Sequence, residues 1–126
     1  MERIAAVVGA GLIGRAWAMV FARAGWQVRL FDPQPGQVDA ARTFIADSLA
    51  VQGRFGLSTD AAAALARIAG AASLEDAVGG VAWVQENSPE VVDVKVELFA
   101  QLDRAAPPEA ILASSTSAIP ASRFTE

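Results

Sequence analysis

At 126 residues, 53% hydrophobic and 19% charged, the chain is too apolar to be disordered and has the size of one globular domain. It contains no cysteine and no histidine, which excludes a disulfide framework, a thiolate-held metal or iron–sulfur cluster, a serine–histidine triad and any imidazole acid or base within it. A formal charge of −4 leaves no basic stripe for a nucleic-acid partner.

Ile4-Ala5-Ala6-Val7-Val8 is a continuous apolar run ending in glycine, the pattern of a parallel strand covered on both faces. The uncharged stretch Ile4–Gly14 is too short to cross a bilayer. Glu2, Arg15 and the spaced glycines are foreign to a signal peptide, so a cytoplasmic protein with no membrane partner is expected. Ile13, Trp17, Val20, Phe21 and Ala24 recur at helical spacing, predicting an amphipathic helix from Leu12 to Ala24 that Gly25 stops. Gln27–Phe31 predicts a second strand, ended by Asp32-Pro33 and a Gln34-Pro35-Gly36 turn.

Val38–Val51 reads as a helix with Ala41, Phe44, Ile45 and Leu49 on one side, broken by Gln52–Gly56. A second helix over Asp60–Ala69, capped by Ser58 or Thr59, would make a helical hairpin of about 37–70. A short third strand is expected near Ile68–Ala72. Ser73 is placed to cap a short helix with Glu75 and Asp76 in its first turn, where the dipole favours acids. Val81–Glu86 predicts a fourth strand, Val91–Ala105 a helix, and Ile111–Ser114 a fifth strand after Pro107-Pro108. Strands alternating with helices imply an α/β fold, a doubly wound Rossmann-type parallel sheet.

Gly9-Ala10-Gly11-Leu12-Ile13-Gly14 matches G-x-G-x-x-G between the first strand and first helix, and Asp32 ends the next strand eighteen residues later. Gly9 would allow the tight turn, Gly11 the approach of a pyrophosphate and Gly14 the close packing of the helix. The N–H groups at the helix start, those of Leu12, Ile13 and Gly14, would meet the anion. Asp32 would accept from the adenosine ribose hydroxyls and repel a 2′-phosphate, which favours NAD over NADP. A plain glycine turn and a turn-forming Asp before proline are the simpler alternatives.

These residues resemble the N-terminal NAD-binding domain of the 3-hydroxyacyl-CoA dehydrogenase family. The resemblance rests on Val7–Arg15, Phe31-Asp32-Pro33, Gln85–Glu90, Lys95, Leu98–Asp103 and Pro107–Ile119. Gly14–Met19 and Ala113–Ser117 are most similar to the lambda-crystallin/L-gulonate 3-dehydrogenase branch, with the L-carnitine dehydrogenases near. It implies that Glu90 and Lys95 contact the nicotinamide side of NAD, and that Ser117 hydrogen-bonds the reacting oxygen of a small hydroxy acid or hydroxyacyl-CoA substrate as well as the cofactor. The alternatives are a solvated surface lysine at position 95 and a serine capping its own loop at 117.

Many family members carry Asn where Ser115 stands, and the lambda-crystallin branch carries Ser. The basic residues that CoA-binding members use in the hairpin are reduced here to Arg42, Arg54 and Arg67. Family chains continue to a histidine base and a helical second domain, so the chain alone is expected to bind NAD without turning over substrate. A non-catalytic NAD-binding or structural module, or a domain for FAD, remains the alternative. In the usual strand order a sixth strand beyond Glu126 would pair with the fifth, so the sheet is expected to be truncated before its last strands, leaving Ile111–Ser114 as an open edge through which these residues would form a homodimer or aggregate.

Overall fold

The computed structural model describes residues 3–56, 60–116, 122 and 124. Five strands form one parallel sheet in the order β3-β2-β1-β4-β5, where β1 is Ile4–Val8, β2 Gln27–Phe31, β3 Ile68–Gly70, β4 Trp83–Glu86 and β5 Ile111–Ser114. The helices between them are α1 (Leu12–Arg23), α2 (Gln37–Arg54), α3 (Ala61–Ala66), α4 (Leu74–Val78) and α5 (Val92–Ala105). Register decides where chemistry can collect. Val8 lies opposite Phe31 on one side and Glu86 on the other, and Glu86 lies opposite Ser114. The loops that begin at Gly9, Asp32, Asn87 and Ser115 therefore leave the sheet along one edge, the carboxyl edge at which open α/β sheets bind ligands.

Alternation along the strands sorts the core into two layers. Ala5, Val7, Val28 and Leu30 pack with Phe21, Ile45 and Leu49 under α1 and α2, and Ala6, Val8 and Val84 pack with Leu74, Phe99 and Leu102 under α4 and α5. The sequence places α1 correctly but not its buried face. Gly14, Ala18, Phe21 and Ala22 are turned inward, whereas Ile13 is 58% and Val20 55% exposed. Only the small side chains at positions 14, 18 and 22, four residues apart on one face, let the helix lie close to β1. The longer apolar residues are displaced outward.

Other boundaries shift for local reasons. Gly53 stays helical, so α2 runs to Arg54, and Gly56 at φ +71° ends it instead. Ser58 and Thr59 lie outside the described residues. Asp60 supplies the cap of α3, accepting from Ala63 N–H at 2.9 Å. That helix ends at Ala66, and the guanidinium of Arg67, its C-cap, donates to the Ala22 carbonyl near the end of α1, 2.8 Å away. β3 is only three residues, and β4 begins at Trp83 rather than Val81, although Val81 is buried. Ser73 does cap α4, accepting from Asp76 N–H at 3.1 Å. No helix among the described residues is long and apolar enough to cross a membrane.

Candidate functional site

The three glycines of the first loop do three different things. Gly9 has φ +100°, and a Cβ there would lie 2.7 Å from the Asn87 carbonyl oxygen. A Cβ on Gly14 would lie 1.8 Å from the Gly9 carbonyl oxygen, so this contact fixes the start of α1 against the end of β1. Gly11 needs no glycine for the protein's own sake. Its φ is −75°, and a Cβ would meet nothing within 4 Å. It is also the N-cap of α1, with no side chain capping the helix and no acid in the first turn. The first N–H groups of a helix have no intrahelical acceptor. Those of Leu12, Ile13 and Gly14 thus stand beside open space at the positive end of the dipole, a fit for an anionic group.

Asp32 braces this loop. One carboxylate oxygen accepts from Ala10 N–H at 2.9 Å and the other from Gln34 N–H at 2.8 Å. Each oxygen keeps a second lone-pair direction for a ligand hydroxyl. From the other side Arg15 Nε donates to the Ala10 carbonyl at 2.9 Å, and its guanidinium lies over the Phe44 ring at 5.3 Å. Beside Asp32 opens a cleft of about 870 Å³, bounded by the glycine loop, Phe31, Leu74, Asn87 and the α5 residues Val94 and Leu98. That volume lies within the range of ligand pockets, about 300–1,000 Å³. Its charged lining residues are Asp32, Asp93 and Glu97. A 2′-phosphate would find no cation in that wall.

On the other side of the glycine loop the organising group is Glu86, which sequence reasoning did not single out. It is fully buried. One oxygen accepts from Lys95 Nζ at 2.8 Å, Ser88 N–H at 2.6 Å and the Ser88 hydroxyl, and the other accepts from the Ser114 hydroxyl. Lys95 is not a solvated surface charge. It is 1% exposed and also donates to the Ser88 carbonyl at 3.3 Å, with Glu90 3.9 Å away. Burial pushes the Glu86 carboxyl up, but the hydrogen bonds from Lys95, Ser114 and Ser88 outweigh it and hold the group below its ordinary 4.5. The signal was present in the sequence: a buried strand that ends in Glu needs a cation, and Lys95 is the only lysine.

The opposite face of β4 carries a second polar chain. Trp83 Nε1 donates to Gln85 at 3.0 Å, Gln85 donates to the Ser115 hydroxyl at 2.9 Å, and Ser115 donates to Asn87 at 2.6 Å. Asn87 in turn donates to the carbonyls of Gln85 and Val8, at 3.0 and 3.3 Å. The Thr116 hydroxyl donates to Glu90 at 2.8 Å, joining the loops after β4 and β5. Neither Glu90 nor Lys95 lines the cleft. Ser117 lies outside the described residues.

Residues 4–126 match the profile of the family described as 3-hydroxyacyl-CoA dehydrogenase, NAD binding domain. The chain belongs to that family. It is 44% identical over 117 residues to a lambda-crystallin homolog of Bos taurus, covering 90% of this chain and 36% of that protein. It is 38% identical to an L-carnitine dehydrogenase of Streptomyces coelicolor, covering 94% of this chain and 36% of that protein. The crystal structure of 3-hydroxybutyryl-CoA dehydrogenase from Escherichia coli superposes with a TM-score of 0.92 at 29% identity, over 98% of this chain and 26% of that one. The chain thus spans little more than a third of the curated relatives it matches. Its fold is the Rossmann-type sheet of these dehydrogenases, and the cofactor of this domain is NAD.

Two predictions follow from the geometry of this NAD-binding domain. Gly11→Ala should keep the unfolding temperature of the parent yet lose about tenfold or more in NAD affinity, since the added methyl occupies only ligand space. Gly14→Ala should lower stability by about 3 kcal/mol or more, the upper end for overpacking. Thermal melts and calorimetry separate the two; a Gly11→Ala chain binding NAD as the parent does would remove the loop from the pyrophosphate site. Glu86 binds fewer protons folded than unfolded, so its contribution is complete above about 4.5 and falls away as pH drops below that. Melting from pH 6 to pH 3 should show a steeper loss in the parent than in Glu86→Gln, which itself starts lower by about 3–5 kcal/mol because Lys95 loses its counter-charge.

Proposed function

We propose that the full protein is an NAD-dependent oxidoreductase acting on the 3-hydroxyl of a hydroxy acid or its CoA ester, and that residues 1–126 are part of its single NAD-binding domain, with α2 and α3 as an inserted hairpin. The observation that carries this is the conjunction at one sheet edge of the open space at Gly11, the uncapped start of α1 and the doubly braced Asp32. NAD, when bound, supplies a hydride acceptor. The chain's own residues bind and orient it. Gly11 leaves room for the pyrophosphate, the N–H groups of Leu12, Ile13 and Gly14 donate to it, and Asp32 accepts from the ribose hydroxyls. Glu90 and Lys95 belong to the nicotinamide side and Ser117 to the substrate oxygen. Because the chain has no histidine, a proton acceptor of that kind must come from outside it.

Among the substrates, the relatives include proteins named for L-carnitine and for 3-hydroxybutyryl-CoA. A small hydroxy acid is favoured over a CoA ester, because Arg67 of the hairpin is spent on the Ala22 carbonyl and only Arg42 and Arg54 remain. A cytoplasmic location goes with this reading. For residues 1–126 taken by themselves, association through the open edge of β5 goes with it too: among the described residues β5 pairs with β4 alone, and Ile111 on that strand is 52% exposed.

Calorimetry with both nucleotides tests the cofactor assignment. Asp32→Asn should weaken NAD by about tenfold and narrow the gap to NADP, as a charged acceptor and a repulsion vanish together. An equal loss for the two would leave Asp32 as a loop brace only. For the dimer, light scattering should give twice the chain mass for the parent and a monomer for Ile111→Lys, a charge that natural sheet edges use to block pairing. A parent that stays monomeric at about millimolar concentration excludes pairing tighter than that.

A further inference from the structure

We propose that Arg15 is a positioning residue for the cofactor: it locks the Ala10–Gly11 peptide so that the Gly11 N–H is presented to the pyrophosphate, and Phe44 of the hairpin holds it there. The inference rests on the NAD reading above and adds a donor, and the means of aiming it, that the reading leaves out.

Both polar groups of the Ala10 backbone are taken by side chains, from two different elements. Asp32, after β2, accepts from its N–H at 2.9 Å, and Arg15 Nε, in α1, donates to its carbonyl at 2.9 Å. A trans peptide points its C=O and the following N–H in opposite directions, and no peptide among the described residues is cis. Two successive planes are therefore fixed. With the Ala10 N–H on Asp32, the Gly9 carbonyl turns the other way, to where a Cβ on Gly14 would strike it. With the Ala10 carbonyl on Arg15, the Gly11 N–H turns away from Arg15. That N–H has no acceptor among the described residues, and Gly11 lines the cleft.

The need for such a lock lies in the glycine. Position 11 lacks a side chain and so leaves room for a pyrophosphate, yet a glycine turns freely about its backbone bonds. The peptide before it can rotate at little cost, which would swing its N–H off the ligand and bring the Ala10 carbonyl, a negative dipole end, toward the phosphates. A side chain holding that carbonyl from outside removes the freedom without filling the space.

A second support is where Arg15 stands. It lies one turn into α1, near the positive end of the dipole, where a cation is disfavoured. Among the described residues no carboxylate pairs with it. What holds it is the Ala10 carbonyl on one side and the Phe44 ring, 5.3 Å away, on the other. Phe44 belongs to the apolar pattern of α2 but is 40% exposed, and stacking on a guanidinium gives a half-exposed ring a use. The hairpin thus reaches the glycine loop through Arg15.

The test separates the pyrophosphate from the adenosine. Titrations of the chain with ADP and with adenosine, the weaker followed by NMR, give the ratio of their affinities, which is what the two phosphates add. At about 1 M salt, where the Debye length is about 3 Å, the bare charge of Arg15 counts for little. Arg15→Met, which keeps the stem and removes every donor, should shrink the ratio by about tenfold, the worth of one charge-assisted hydrogen bond, while adenosine stays within about twofold. Phe44→Leu keeps the cation and removes its ring. It should shrink the ratio by about threefold in the same sense, and it carries the test if Arg15→Met does not fold. An unchanged ratio in Arg15→Met overturns the proposal, and so does a parallel loss for both ligands, the mark of a merely structural role. An effect in Arg15→Met with none in Phe44→Leu overturns the part given to the hairpin. A parent that binds ADP no better than adenosine removes the pyrophosphate reading of the loop instead, a different failure with a different signature.

Discussion

The approach of α1 to the sheet is the constraint from which the site follows. A helix dipole acts on an anion only within about its first turn, so the helix start must sit directly over the end of β1. It does so because Gly14 has no Cβ to strike the Gly9 carbonyl, and Gly9 none to strike Asn87. Ala18 and Ala22 continue the same narrow face down the helix, against Ala5 and Val7. The exposure of Leu12, Ile13 and Val20 is the consequence. A helix whose largest side chains faced the sheet would be held further out, with its N–H groups out of reach of a ligand lying on the strand ends.

The two carboxylates that flank this loop illustrate opposite uses of the same group. Asp32 is part-exposed and, among the described residues, accepts two backbone N–H bonds, one on each oxygen, so it both braces the loop and keeps acceptor capacity for a ligand. Glu86 is wholly buried and its capacity is consumed within the protein. Buried ion pairs seldom add net stability over well-packed apolar side chains, because each charge gives up its hydration. What Glu86 and Lys95 supply that a Leu–Met pair would not is a fixed geometry among β4, β5 and α5.

Much of this was legible in the sequence where the controlling physics is local. Parallel strands announce themselves as apolar runs, and G-x-G-x-x-G between a run and a helix leaves few backbone geometries open. Ser73 and Gly25 act on their own helix ends as their chemistry dictates. What could not be read depends on distant partners. Apolar periodicity gave α1 its existence, but its buried side was decided by how near β1 lies, which favours small over large side chains. On its own helix Lys95 stands between Val94 and Val96 with Asp93 and Glu97 nearby, the pattern of a solvated face, and only the apolar strand that ends in Glu86 points the other way. Its burial is explained only by Glu86 on the adjoining strand. Phe44 likewise repeats with Ile45 and Leu49 in the pattern, yet lies 40% exposed under the Arg15 guanidinium.

Ser115 shows why a departure from a family pattern is best weighed with its neighbours. A hydroxyl is both donor and acceptor, and here it accepts from Gln85 while donating to Asn87. The carboxamide beside it comes from Asn87, which directly follows β4. From there its N–H groups reach the Val8 and Gln85 carbonyls, and its backbone oxygen is the atom against which Gly9 packs. The amide thus links the loop after β5 to the foot of the glycine loop at the wall of the cleft. An alanine at 115 would take a partner from both the buried Gln85 and the part-buried Asn87.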